Sequence, residues 1–142
     1  MPVTGANKPA NPENDQPSGK GHANAGLGNR GETLAAAYLQ GKGYRIIERN
    51  FRCKGGEVDI VAKDGDIFVF AEVKTRKSLV FGPPQLAVTP FKQRQISKAA
   101  LTWLSRKRLH DAPARFDVIA IILENDFSQQ IDHISNAFEL AY

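Results

Sequence analysis

Cysteine is almost absent from this chain. The single one, Cys53, cannot form an internal disulfide and is too few for a cysteine-rich zinc site, so it reads as a bystander in a reducing compartment rather than as a nucleophile. Histidine is also sparse: His22, His110 and His133 are scattered over the chain without ligand spacing, which argues against zinc and against a histidine nucleophile. No apolar run approaches the length of a membrane span, and the N-terminal stretch lacks the apolar run of a signal peptide; a soluble, cytoplasmic protein is expected. A glycine-rich phosphate loop is missing as well, because Gly26-Leu27-Gly28 follows no predicted strand.

What is present suffices for one domain: 142 residues, of which 42% are hydrophobic. Residues 1–27 hold four of the eight prolines, much Gly, Asn and Ser, and only scattered apolar side chains. Such a segment cannot bury enough surface to offset the entropy of ordering, so a disordered tail is expected there, with the folded domain over 28–142. The net charge of +4 belongs to that domain, since Lys8 and Lys20 balance Glu13 and Asp15 in the tail. A positive balance is compatible with an anionic partner such as nucleic acid without demonstrating one.

Patterning predicts a helix from Asn29 as N-cap to Gln40, with Glu32 in its first turn and Leu34, Ala35, Tyr38 and Leu39 as its apolar stripe. An extended segment over 44–51 follows, then two strands over 57–63 and 66–74 joined at Asp64-Gly65, a dipeptide favoured in hairpin turns. Thr89-Pro90 is a good cap and first-residue pair for a helix over 90–109, with Ile96, Ala100, Trp103 and Leu104 buried. Two more strands are expected over 115–123 and 130–134. The order is that of an α/β domain with a central mixed sheet of about five strands flanked by helices.

The chemistry concentrates in Ala71-Glu72-Val73-Lys74. Strand alternation turns Glu72 and Lys74 to one face, behind Phe68 and Phe70, so the acid and the base emerge at the rim of a buried sheet. A two-residue loop at Asp64-Gly65 sets Asp59 opposite Phe70; a four-residue loop from Asp64 to Ile67 sets it opposite Glu72. Both registers leave Asp59 on the face of Glu72 and Lys74. Carboxylates on adjacent strands repel unless a cation joins them, and their oxygens suit hard ions such as Mg²⁺ or Mn²⁺. With Lys74 beside them to orient a water or neutralise charge, phosphodiester hydrolysis is the reaction class this set suggests.

Asp59 followed thirteen positions later by Glu72-Val73-Lys74 resembles the PD-(D/E)XK nuclease signature, with Val58 where the name motif has proline; the preceding helix with Glu32 resembles the archaeal Holliday-junction resolvase branch. Asn29-Arg30-Gly31-Glu32, Arg49-Asn50-Phe51-Arg52, Gly56-Glu57-Val58-Asp59-Ile60, Phe70 to Arg76 and Arg115-Phe116-Asp117 together resemble the YraN-like family of bacterial proteins, over about 29–140. The resemblance implies a restriction-endonuclease-like fold, metal ligands at Asp59 and Glu72, a catalytic lysine at Lys74 and an auxiliary acid at Glu32.

Other residues carry two readings each. Glu32 either supports the centre or merely complements a helix dipole. Glu57 shares the face of Asp59 or simply starts a strand. Arg76, Lys92 and Gln93 are candidate nucleic-acid contacts, the last two through a helix N-terminus, or a solvated face. Arg115 and Asp117 read as a structural ion pair. The expected function is a Mg²⁺- or Mn²⁺-dependent endonuclease of branched or damaged DNA, a homodimer if it cuts junctions, and the alternative is a non-catalytic nucleic-acid-binding module of a DNA-processing assembly.

Overall fold

The computed structural model describes residues 22–77, 88–125 and 128–142. Helix α1 spans His22–Gly41, followed by strands β1 (Arg45–Cys53), β2 (Gly56–Asp64) and β3 (Ile67–Arg76), helix α2 (Pro90–Arg106), and strands β4 (Ala114–Asn125) and β5 (Ser128–Phe138). The five strands form one sheet in sequence order. Only β3 and β4 run parallel; every other neighbouring pair is antiparallel. This mixed sheet flanked by two helices is the α/β, restriction-endonuclease-like architecture expected.

The central strands β3 and β4 are apolar because both their faces are covered. Val69, Phe70, Ala71, Val118, Ile119, Ala120 and Ile121 are fully buried. Phe68, Phe70, Trp103, Phe116 and the apolar stripe of α2 pack into one core, with Trp103 edge-on to Phe70 at 5.9 Å between centroids. From α1, Ala35 and Leu39 are wholly buried.

Caps and turns position these elements. The Thr89 hydroxyl accepts the N–H of Lys92 at 3.2 Å, with Pro90 in the first turn. In the hairpin, Asp64 pairs with Ile67, so the turn is Gly65-Asp66 rather than Asp64-Gly65, with Gly65 at φ +61° in the place where a type II′ turn needs a positive angle. Asp64 stays in the ladder and its side chain binds Arg115. At Gly56 a Cβ would stand 2.7 Å from both the Ala99 nitrogen and the Gln95 oxygen of α2. Backbone cannot yield as a flexible side chain does, so Gly56→Ala is expected to lower stability by about 1–3 kcal/mol, readable as a reduced urea midpoint.

Helix α1 and strand β5 also differ from expectation. Helix α1 begins at His22, so Asn29 is not its cap and Glu32 lies mid-helix, with no acidic residue in the first turn. Asn29 reads as a cap only because the stretch before it has the composition of a tail; the helix runs on through Gly26 and Gly28 although both are weak helix formers. Likewise β5 extends to Phe138, well past the predicted end at Ile134, because the ladder with β4 resumes at Phe116↔Phe138 after a register shift beyond Val118↔Ile134. Of residues 1–27, where a disordered tail is expected, 22–27 belong to α1, and 1–21 lie outside the described residues.

Candidate metal and phosphodiester site

The β2–β3 ladder is regular from Asp64↔Ile67 to Ile60↔Ala71, the register that carries Asp59 opposite Glu72. Beyond Ile60↔Ala71 the pairing stops, although β2 continues back to Gly56 and β3 on to Arg76. In this fork Asp59 Oδ2 accepts the backbone N–H of Val73 at 2.8 Å, which fixes the carboxyl against β3. Glu72 is only 4% exposed. The two carboxyls lie in hydrogen-bonding contact when one is protonated. Glu72 Oε2 faces Lys92 Nζ at 3.8 Å and Lys74 Nζ at 4.0 Å, while its Oε1 is buried with no hydrogen-bond partner.

Glu32 joins this cluster from α1. A Cβ at Gly31 would run into the Thr75 hydroxyl, so the helix backbone meets the end of β3 as closely as only glycine permits. Its neighbour Glu32 then lies near enough to Asp59 to feel its charge. Arg49 stands 3.7 Å from Glu32 Oε1, and the Asn50 side chain bonds the same carboxyl. Asn50 sits in β1 at φ +56°, a conformation asparagine tolerates better than most residues.

Burial is the largest cause of the raised pKa values here. It raises Asp59 despite the Val73 N–H, and raises Glu72 well above its ordinary value, with Asp59 adding repulsion. For Glu32, burial and then Asp59 push the carboxyl up from 4.5 to about 7. Burial lowers Lys92, but Glu72 and Glu57 outweigh it and the ammonium is held charged. A raised folded value means that folding favours the protonated acid: its stabilisation is complete below about pH 4.5 and is lost as pH climbs through about 7. In chelator the melting temperature is expected to fall between these limits, Glu32 contributing on the order of 3 kcal/mol. Glu32→Gln should flatten that slope in a pH series of thermal melts.

The carboxyl oxygens gathered here, of which Glu72 Oε1 and Glu32 Oε1 are buried with no hydrogen-bond donor, are the hard donors that suit a divalent cation keeping part of its water shell. Among the described residues no group of three His, Cys, Asp or Glu side chains is placed to hold a metal ion. The pair Asp59 and Glu72, with Glu32 behind them, is an open site of the sort a hydrated ion and a phosphate oxygen can share.

Asp59, Glu72, Lys74 and Glu32 are therefore brought together as expected. Lys92 is placed otherwise than its position in the first turn suggested: its ammonium donates to Glu57 Oε2 at 2.7 Å and attends Glu72. Its N–H is taken by Thr89, and Gln93 donates both its backbone N–H to Thr89 O and its side-chain amide to Val88 O. Arg76 lies half-buried at the end of β3, beside Ile122 of β4. Asn50 was singled out only as part of a quoted motif; an asparagine inside a strand was the signal.

A second polar cluster lies away from this fork. Asp117, fully buried, receives Arg115 Nε at 3.0 Å, His133 Nε2 at 2.7 Å and the Asn136 N–H at 2.9 Å. Arg115 also reaches Asp64 at 3.2 Å and the Tyr44 hydroxyl at 2.6 Å. The structural reading of Arg115 and Asp117 gains three partners from distant strands.

Residues 31–121 match the model of "Uncharacterised protein family UPF0102". The chain belongs to this family. A UPF0102 protein of Geobacter sulfurreducens is 66% identical over 127 residues, 89% of this chain and 99% of that protein. One from Pelobacter propionicus is 67% identical over 84% of this chain and 86% of its own length, and one from Rhodococcus opacus is 48% identical over 81% and 98%. The matched span of the UPF0102 model includes Glu32, Asp59, Glu72 and Lys74. No helix among the described residues is long and apolar enough to cross a membrane.

Proposed function

We propose that this UPF0102 protein is a Mg²⁺- or Mn²⁺-dependent endonuclease that hydrolyses phosphodiester bonds of DNA, with branched or damaged DNA as its substrate. The observation that carries the reading is the repelling pair of half-buried Asp59 and buried Glu72 in the open end of the β2–β3 fork, with Lys74 on the same face. Asp59 and Glu72 would hold the ion. Bound there, the ion would acidify a water and polarise the phosphate. Lys74, partly exposed at the rim, orients the attacking water or neutralises charge on the phosphate. The Val73 N–H holds the Asp59 carboxyl in place, and Glu32 adds negative charge behind it. Lys92 balances Glu72 and Glu57 and keeps the acids from driving the fork apart.

Incubating the purified protein with linear, nicked, flapped and four-way DNA tests the proposal. Cleavage with Mg²⁺ or Mn²⁺ and none in chelator is expected, and no cleavage of any substrate with either ion contradicts it. The rival, a nucleic-acid-binding module without catalysis, draws on Lys92, whose ammonium already supplies a cation to Glu72. It requires salt-dependent binding that survives removal of the carboxylates.

A further inference from the structure

Along its outward side α2 carries Phe91, Arg94, Lys98 and Leu101, all exposed and spaced three or four residues apart so that they share one stripe. Phe91 is 62% exposed, an unusual setting for so large an apolar ring. Residues 90–108 contain six Lys or Arg and no Asp or Glu. Alongside runs the segment 140–142, pinned where the fully buried Ser97 hydroxyl accepts the Ala141 N–H at 2.9 Å. It leaves the Tyr142 ring 91% exposed. Between helix and segment lies an open cleft of about 400 Å³, lined by Phe91, Arg94, Lys98, Leu101 and Tyr142 and, among the described residues, by no carboxylate side chain.

We propose that this cleft binds an unpaired nucleotide of single-stranded nucleic acid, its base stacked on Phe91 or Tyr142 and its phosphate held by Arg94 and Lys98. The volume falls within the range of small-ligand sites. The pairing of exposed rings with basic groups is how sequence-tolerant single-strand sites are built, the ring taking any base and the cations the backbone. Arg94 already lies over the Phe91 ring, guanidinium to centroid 6.0 Å, so an entering base extends an existing stack. An apolar partner protein would meet the charges of Arg94 and Lys98 in the cleft wall; a polyanion satisfies them. The cleft also adjoins the phosphodiester site, since Lys92, which attends Glu72, is the residue after Phe91. That adjacency, which gives the endonuclease a grip on a strand leaving its duplex, rests on the proposed activity. Binding in the cleft does not.

The test is fluorescence anisotropy of the full chain in chelating buffer, where cleavage plays no part, with a labelled oligothymidylate and a labelled duplex. Phe91→Ala and Tyr142→Ala are expected each to weaken oligothymidylate binding roughly tenfold, while duplex affinity changes by less than about twofold. Both side chains are exposed, so unchanged thermal melts should accompany the loss; Tyr142→Ala serves should Phe91→Ala fail to fold. Equal losses on single strand and duplex, unchanged single-strand affinity, or no oligothymidylate binding by the wild type overturns the proposal. So does a wild-type dimer that these substitutions dissociate without altering single-strand affinity. Single-strand binding by a protein that cuts nothing would sink the endonuclease reading and leave the cleft standing.

Discussion

Glu72→Ala and Asp59→Ala are each expected to reduce Mg²⁺-dependent DNA cleavage at least a thousandfold while the protein stays folded. The two halves of this expectation share one cause. Both carboxyls are held where burial disfavours their charged forms, and Glu72 keeps one buried oxygen without a donor. A cation that joins them relieves that cost and cannot be held by either alone. Without a cation the charges work against folding, so Glu72→Gln should melt at or above the wild-type temperature in chelator at neutral pH. Asp59→Asn gains less, because its carboxylate accepts the Val73 N–H. If Glu72 were an ordinary structural member of an ion-pair network, Glu72→Gln would instead lower stability and leave cleavage nearly intact. Single-turnover cleavage rates and melting curves on the same preparations separate the two.

Asp117→Ala is expected to be among the most damaging single substitutions for stability, at about 3–5 kcal/mol, or roughly 10–20 °C in melting temperature. It leaves Arg115, His133 and the Asn136 N–H facing a cavity that each was bound into. Burial pushes the Asp117 carboxyl up, but His133, Arg115 and the Asn136 N–H outweigh it and hold it below its usual value. Its contribution is therefore present above the ordinary carboxylate range and is lost as pH falls below it. This is opposite in sign to Glu32, so chelated protein should be most stable in the mildly acidic window between the two. Urea denaturation of Asp117→Ala and Arg115→Ala, alone and together, checks the coupling: the double variant should lose much less than the sum.

The parts of the site that follow from strand periodicity were legible in the residues. Alternation put Glu72 and Lys74 on one face, and either hairpin register kept Asp59 with them; the observed ladder selects the register that sets Asp59 opposite Glu72. What periodicity does not carry is the fork itself. Pairing stops at Ile60↔Ala71, while Gly31 of α1 approaches Thr75 of β3 and Gly56 of β2 approaches Ala99 of α2, and nothing local announces those partners. Lys92 shows the same limit. Its place in the first turn of a basic helix pointed to phosphate, whereas packing of α2 on the sheet brought its ammonium onto Glu57 and Glu72. The Asp117 cluster was legible only as Arg115 and Asp117, because its other members are Tyr44, just before β1, and residues of β2 and β5, which meet only in the assembled sheet. The late placement of the α1 start came from the tail-like composition before Asn29, through which the helix runs despite Gly26 and Gly28.

The central claim is that Asp59 and Glu72 exist to share a divalent cation. Anomalous scattering from crystals soaked in Mn²⁺ measures this directly. A peak between the Asp59 and Glu72 carboxylates, lost in Glu72→Ala crystals soaked alike, is the expected result. A fork that stays empty in Mn²⁺, with Lys92 still against Glu72, or an ion held only elsewhere on the protein, contradicts it.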